Sequence, residues 1–188
     1  MKKVLIITYY WPPSGGSQVL RWLKFVKYLR EFGWEPVIYT PENPEAPETD
    51  TSNLKDIPEN LEIIKRRIRE PYQAYKIFLG KKKDEKLSTA FLSEDKKGKK
   101  ITAKIALWIR SNFFIPDARR FWIKPSVKYL ADYLKSHPID TIITTGPPHS
   151  MHLIGLYLKK KTNFPWVADF RDPWTNIDFY KELLLTRS

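Results

Sequence analysis

The 188-residue chain is 42% hydrophobic and carries a formal charge of +12, with 33 lysines and arginines against 21 aspartates and glutamates. That length supports one sizeable core and at most a domain with an appendage, and the charge favours anionic partners: nucleic acid, acidic lipid surfaces or phosphorylated substrates. The lack of cysteine excludes a disulfide framework and thiolate metal sites and fits a reducing compartment, and no stretch approaches the ~20 apolar residues of a membrane span.

The opening "MKKVLIITYYWPP" has the basic start of a signal peptide, but its apolar run extends only from Val4 to Trp11 and no small-residue cleavage site follows. It reads instead as a first strand. Residues 3–9, "KVLIITY", are β-branched and apolar without alternation, the pattern of a strand covered on both faces in a parallel sheet. "WPPSGGSQ", 11–18, interrupts that run, after which Val19, Trp22, Leu23, Val26 and Leu29 recur at helical spacing until Gly33 closes the segment. "EPVIYT", 35–40, and "LEIIKRRI", 61–68, read as the second and third strands, joined by a long loop rich in Pro, Glu and Thr.

Residues 80–100, "GKKKDEKLSTAFLSEDKKGKK", hold eight lysines and four acids with few core residues and read as a mobile insertion. "ITAKIALWIRSNFFIPDARRFWIKP", 101–125, mixes large apolar and basic residues. Ile101, Ile105, Trp108 and Ile109 sit at helical spacing, which makes core packing the default and an amphipathic membrane-surface helix the alternative. Pro125 suits the first turn of a helix striped by Val127, Leu130, Ala131 and Leu134 and ended by Pro138. "DTIITT", 140–145, is a strand, "GPPHS", 146–150, a loop, and Met151 to Lys161 a helix with Ser150 as its N-cap. "PWVADF", 165–170, is the last strand and "RDPWTN" the loop after it. The alternation predicts an α/β chain, residues 1–188 forming a single Rossmann-like domain with a doubly wound parallel sheet.

In such a sheet, ligands bind outside the carboxyl ends of the strands. Three loops fall on that side: "WPPSGGSQ", "GPPHS" and "RDPW". Gly15 and Gly16 lack Cβ atoms, so backbone N–H groups can approach an anion at the positive end of the following helix, or the pair simply makes a tight turn. Neither the dinucleotide fingerprint nor the Walker pattern is present. His149 is placed to donate to a sugar hydroxyl or a phosphate, or to cap its own loop. His152, in the first turn of its helix, reads as structural and His137 as exposed, and the three histidines make no metal pattern. Asp169, Arg171 and Asp172 cluster at a strand end, either as an internal ion pair or as a carboxylate facing acceptor hydroxyls with Arg171 on phosphate. Trp174 offers a sugar-stacking face or core packing.

The segments "ITYYWPPSGGSQVLRWLKFVKYLREFGWEPVIYTPENP", "TTGPPHSMHLIGL" and "PWVADFRDPWTN" together resemble the amino-terminal half of bacterial glycosyltransferases with the GT-B fold, in the family-4 group of retaining enzymes. The resemblance spans nearly the whole chain apart from the lysine-rich insertion. It implies a two-domain enzyme whose amino-terminal half holds the acceptor, while a carboxyl-terminal half binds most of a nucleotide-diphosphate sugar. It assigns Gly15, Gly16 and Ser17 to the donor diphosphate and Ser14, Gly146, Ser150, Arg171 and Trp174 to the acceptor, a glycan or a lipid-linked molecule. The family often has a histidine where this chain has "DFRDPW", so Asp169, Asp172 or His149 takes its catalytic place. No cofactor beyond the donor and no required metal is implied; helix N-termini and basic side chains stabilise the departing diphosphate. The chain ends at "LLLTRS", where a linker to a second domain is expected, so it reads as the acceptor half, folding unaided but transferring sugar poorly or not at all by itself. The basic surface and segment 101–123 suit a cytoplasmic enzyme touching the inner face of an anionic membrane. The competing reading is a basic module that grips nucleic acid or other anions without catalysis. It is favoured by the charge and opposed by the absence of a nucleic-acid motif. An epimerase is ranked below both, because Tyr129 and Lys135 have the wrong spacing for its Tyr-x-x-x-Lys pair.

Overall fold

The computed structural model describes residues 1–46, 48–68, 108–109 and 111–173. The lysine-rich segment 80–100 and residues 101–107 and 174–188 lie outside the described residues. The elements in chain order are β1 (Lys2–Ile7), α1 (Ser17–Leu29), β2 (Trp34–Pro41), β3 (Glu62–Arg66), α2 (Arg120–Ser136), β4 (Thr141–Gly146), α3 (Ser150–Thr162) and β5 (Trp166–Phe170), with short 3-10 turns at Arg30–Phe32 and Thr51–Asp56. Five parallel strands pair in the order β3-β2-β1-β4-β5, giving the doubly wound, Rossmann-like α/β sheet that the alternation predicts.

β1 is central, and from Val4 to Ile7 it is buried on both sides, which explains its continuous apolar run. Leu5 and Ile7 join Tyr39, Trp122, Val127, Leu130, Met151 and Ile154 in the core beneath α2 and α3. Val4 and Ile6 point the other way and join Trp22, Leu23, Val26 and Ile38 beneath α1. Successive strand residues thus feed opposite layers. The chain steps outward from β1 to β3, then returns to β4 on the other side of β1. The switch point therefore lies between the carboxyl ends of β1 and β4, where Ile7 pairs with Thr144.

Two local boundaries differ from the sequence reading. α2 starts at Arg120, so Pro125 lies inside the helix. Trp122 is 1% exposed and stacks on Tyr39 at 5.0 Å between ring centroids, and that burial extends the helix past the signal given by the proline. Ser150 is the first helical residue and His149 occupies the N-cap position without a capping side chain. Asp117 does the capping from a distant segment, its Oδ2 accepting from the Ser150 N–H at 2.8 Å and its Oδ1 from the Ser150 hydroxyl at 2.8 Å. The long loop after β2 is also ordered at its far end, where Asp50 accepts from the Ser52 N–H at 2.9 Å and from Asn53 Nδ2 at 2.8 Å.

Candidate functional site

Three loops from β1, β4 and β5 meet at the switch point, and each residue's position follows from its strand. After β1 the chain turns so that residues 13–15 pair with 48–50. Gly15 N–H donates to the Glu48 carbonyl at 3.0 Å, Asp50 N–H donates to the Pro13 carbonyl at 2.8 Å, and Ser14 and Thr49 form an antiparallel bridge. A side chain on Gly15 would begin 2.8 Å from Glu48 Cγ and 3.2 Å from Asp50 Cβ, so it would have to displace the Glu48 side chain where the two segments cross. Gly16 has φ 96°, a conformation other residues adopt only under strain. The turn and the close approach of backbone are thus both present, and the residue seated over the two glycines is Glu48. Its Oε1 lies 3.3 Å from the position a Gly16 Cβ would take.

α1 opens with no capping side chain and no acid in its first turn, leaving backbone N–H groups and the positive end of the helix dipole unanswered. Arg171 sits against this end. Its Nη1 donates to Ser17 Oγ at 3.2 Å and to Gln18 Oε1 at 3.4 Å, and its Nη2 to Asp172 at 2.7 Å, while its Nε is buried without a partner. Its backbone N–H donates to the Gly146 carbonyl at 3.3 Å, so the arginine belongs at once to the β4 and β5 ends. Of the two pairings left open by the sequence, Arg171 takes Asp172. Asp169 is occupied elsewhere: its Oδ2 accepts from Arg21 at 2.9 Å, from the Trp22 indole at 2.8 Å and from Thr145 at 3.1 Å, tying α1 to the β4–β5 edge.

At the β4 end, burial pushes the His149 imidazole below its ordinary pKa, with Asp117 and Asp172 pulling it back up. His152 is 3% exposed and lies against Gly146, its Nε2 2.7 Å from where a Gly146 Cβ would be. The Trp166 indole can only donate, and it donates to Thr144 Oγ1 at 2.9 Å. His152 Nδ1 lies 2.9 Å from the same buried threonine hydroxyl, and its Nε2 is buried without a partner. Burial, followed by the neighbouring His149, pushes the His152 pKa down to about 4.

The structure therefore brings together Gly16, Ser17, Gly146, His149, Ser150, Arg171 and Asp172 at one sheet edge. Ser14 is buried in the loop clasp, Asp169 faces α1, and Trp174 lies outside the described residues. Asp117, Arg119 and Glu48 escaped the sequence reading. Arg119 stacks over the ring of Tyr9 at 4.6 Å and so links the start of α2 to the β1 loop. "PDARR" does carry a helix-start signal, since Asp117 also accepts from the Arg119 N–H at 2.8 Å. Two shallow grooves lie away from this edge, one along the outside of α1 at Phe25, Tyr28 and Phe32, the other between α2 and α3 at Leu134 and Phe164.

No family model matches the chain, and no curated protein is significantly similar to it. Among solved structures it is similar to the C-terminal domain (residues 78–226) of PF1911 hydrogenase from Pyrococcus furiosus, with a TM-score of 0.45 and 12% identity over 90% of this chain and 91% of that one. It is also similar to apo UGT2 of Phytolacca americana, with a TM-score of 0.45 and 11% identity over 89% of this chain and 29% of that one. TcCGT1, solved in complex with UDP, gives a TM-score of 0.41 and 11% identity over 89% of this chain and 28% of that one. This chain spans under a third of each of the last two. Likenesses this distant assign no residue and no activity, so the functional reading rests on the chain's own geometry.

Proposed function

We propose that this chain is the acceptor-side half of a retaining glycosyltransferase that moves a sugar from a nucleotide-diphosphate donor to a hydroxyl of a glycan or a lipid-linked acceptor. The observation that carries the reading is the Arg171 guanidinium held 3.2 Å from Ser17, beside an uncapped helix end with no acid in its first turn. Arg171 is paired with Asp172 at 2.7 Å and the Glu48 carboxylate lies over the glycines, and a dianion can take the place of these carboxylates against the guanidinium and the helix end. A diphosphate has the charge and the oxygen count to accept from the first N–H groups of α1 and from Arg171 together. As the glycosidic bond to the donor breaks, charge builds on that diphosphate, and donors already fixed around it stabilise the change. His149, kept neutral by burial, and Asp172 stand beside it to orient the acceptor hydroxyl. Asp169 is the brace that positions α1. The nucleoside lies across the cleft on a second Rossmann-like domain, and residues 1–188 alone bind the diphosphate without turning the donor over.

Isothermal titration with UDP tests this. Arg171→Ala should weaken binding about 10-fold to 100-fold, the value of a charge-assisted hydrogen bond, and a thermal melt checks that the variant folds. Equal affinity in the variant would remove the anion site from this edge. Glu48 makes a second, opposite prediction. Its carboxylate lies over the same glycines, so Glu48→Gln should tighten UDP binding several-fold, an effect that shrinks as salt is raised; unchanged affinity would show that the carboxylate does not compete.

A further inference from the structure

α2 buries Trp122, Ile123, Val127, Leu130 and Leu134 against the sheet. Phe121, Lys124, Lys128, Asp132 and Lys135 fall on the opposite stripe of a 3.6-residue helix. Together α2 and α3 carry seven lysines and arginines against one aspartate, a surplus of six that is half of the net charge of the chain. Lys128 of α2 and Lys161 of α3 both pull the Asp132 carboxyl downward, so the two helices present their cations to one face. Asp132 is taken by Lys135 at 2.7 Å, and Lys124, Lys128 and Lys161 make no ion pair among the described residues.

At the amino end of this stripe is an exposed apolar cluster. Trp108 is 42% exposed, Phe113 56%, Ile115 55% and Phe121 52%, so Trp108 is not the core residue that its spacing suggested. Trp108 packs edge-on against Phe113 at 5.7 Å, Phe114 against Phe121 at 6.3 Å, and Arg120 donates to the Phe113 carbonyl while lying 5.9 Å over the Phe121 ring. A contiguous exposed patch of this kind marks a surface that meets something apolar. Nucleic acid offers phosphates but takes aromatic rings as free stacking platforms, whereas these rings are packed on one another and Ile115 has no π-face. A bilayer interface takes both parts: rings and Ile115 enter the headgroup layer, and the lysine row meets lipid phosphates.

We propose that the outer stripe of α2, with Lys161 and the apolar cluster at 108–121, docks on an anionic lipid bilayer. Asp117 and Arg119 join that cluster directly to Ser150 and Tyr9 of the candidate site, so docking sets the mouth of the site at headgroup level. On the reading of the previous subsection, which this clause alone rests on, the acceptor is then lipid-linked.

Flotation of the full chain with phosphatidylcholine vesicles, with and without phosphatidylserine, tests the docking. Binding is expected only with phosphatidylserine and should fall as salt is raised. Lys124→Ala, Lys128→Ala and Lys161→Ala combined should weaken it about 100-fold, from about 5-fold per lysine near an anionic surface. Phe113→Ser with Phe121→Ser should remove the part that survives high salt. All five side chains are exposed, and a thermal melt checks that each variant folds. Equal binding to neutral vesicles, no binding, or wild-type binding by the triple lysine variant would overturn the proposal. So would a single-stranded oligonucleotide that binds more tightly than the vesicles and depends on the same lysines. Loss of docking should leave the affinity for UDP untouched, so the two readings fail separately.

Discussion

Replacing Gly155 with alanine is expected to lower the melting temperature by roughly 5–10 °C, from about 3 kcal/mol of destabilisation. The added Cβ would sit 2.3 Å from Trp166 Nε1, 2.7 Å from Trp166 Cε2 and 2.7 Å from Thr144 Cγ2. Alanine is the better helix former by about 1 kcal/mol, so propensity alone predicts the opposite sign. Sterics win because nothing nearby yields cheaply. Thr144 is fully buried, the indole is a rigid ring held by its hydrogen bond to Thr144, and moving it also strips His152 of its oriented partner. α3 must lift from the sheet or the indole must leave. Differential scanning calorimetry decides the matter: an unchanged or raised melting temperature would mean that this contact is not tight. Asp117→Ala is expected to cost somewhat less, about 2 kcal/mol, by uncapping α3 and stranding the buried Ser150 hydroxyl.

The layered α/β order was readable because β1, β2 and β4 are apolar runs flanked by glycine and proline, and because Val19, Trp22, Leu23 and Val26 recur at one helical period. Those are local signals. What escaped were residues whose reason lies far along the chain. Ser150 looks like a cap, and only the fold brings Asp117 to it. Gly15 and Gly16 read as an approach for an anion or as a tight turn, and the sequence did not show that the Glu48 side chain lies over both or that Gly16 takes a positive φ. The anion-binding argument passed instead to Arg171, whose value depends on α1 ending beside it. Sequence placed Asp169, Arg171 and Asp172 together, but only geometry separates them, because Arg21 and Trp22 claim Asp169 from another element. Trp108 has core-like spacing and is 42% exposed, since periodicity shows that residues share a face and not which way the face turns.

Lowering the pH from about 6.5 to about 4 should destabilise the protein by up to roughly 3 kcal/mol, and His152 should be the main source. An unfolded histidine takes its proton near pH 6.5, whereas the folded His152, pushed down to about 4 by burial, does not until the solution is far more acidic. Between those limits the unfolded state holds more protons than the folded state, so stability rises with pH across the window and is lost as pH falls through it. His149, also lowered by burial, adds in the same direction. The carboxylates act elsewhere on the scale. Asp56, held down to about 2 by hydrogen bonds from Lys24 and Lys27, contributes above its unfolded value near 3.8 and loses that contribution only as pH falls toward 2. The two windows barely overlap. Urea unfolding at a series of pH values should therefore show a slope between pH 6.5 and 4 that flattens in His152→Gln, whose amide oxygen can still accept from Thr144 but takes no proton in this range. A slope of the same size in that variant would move the titration to another group.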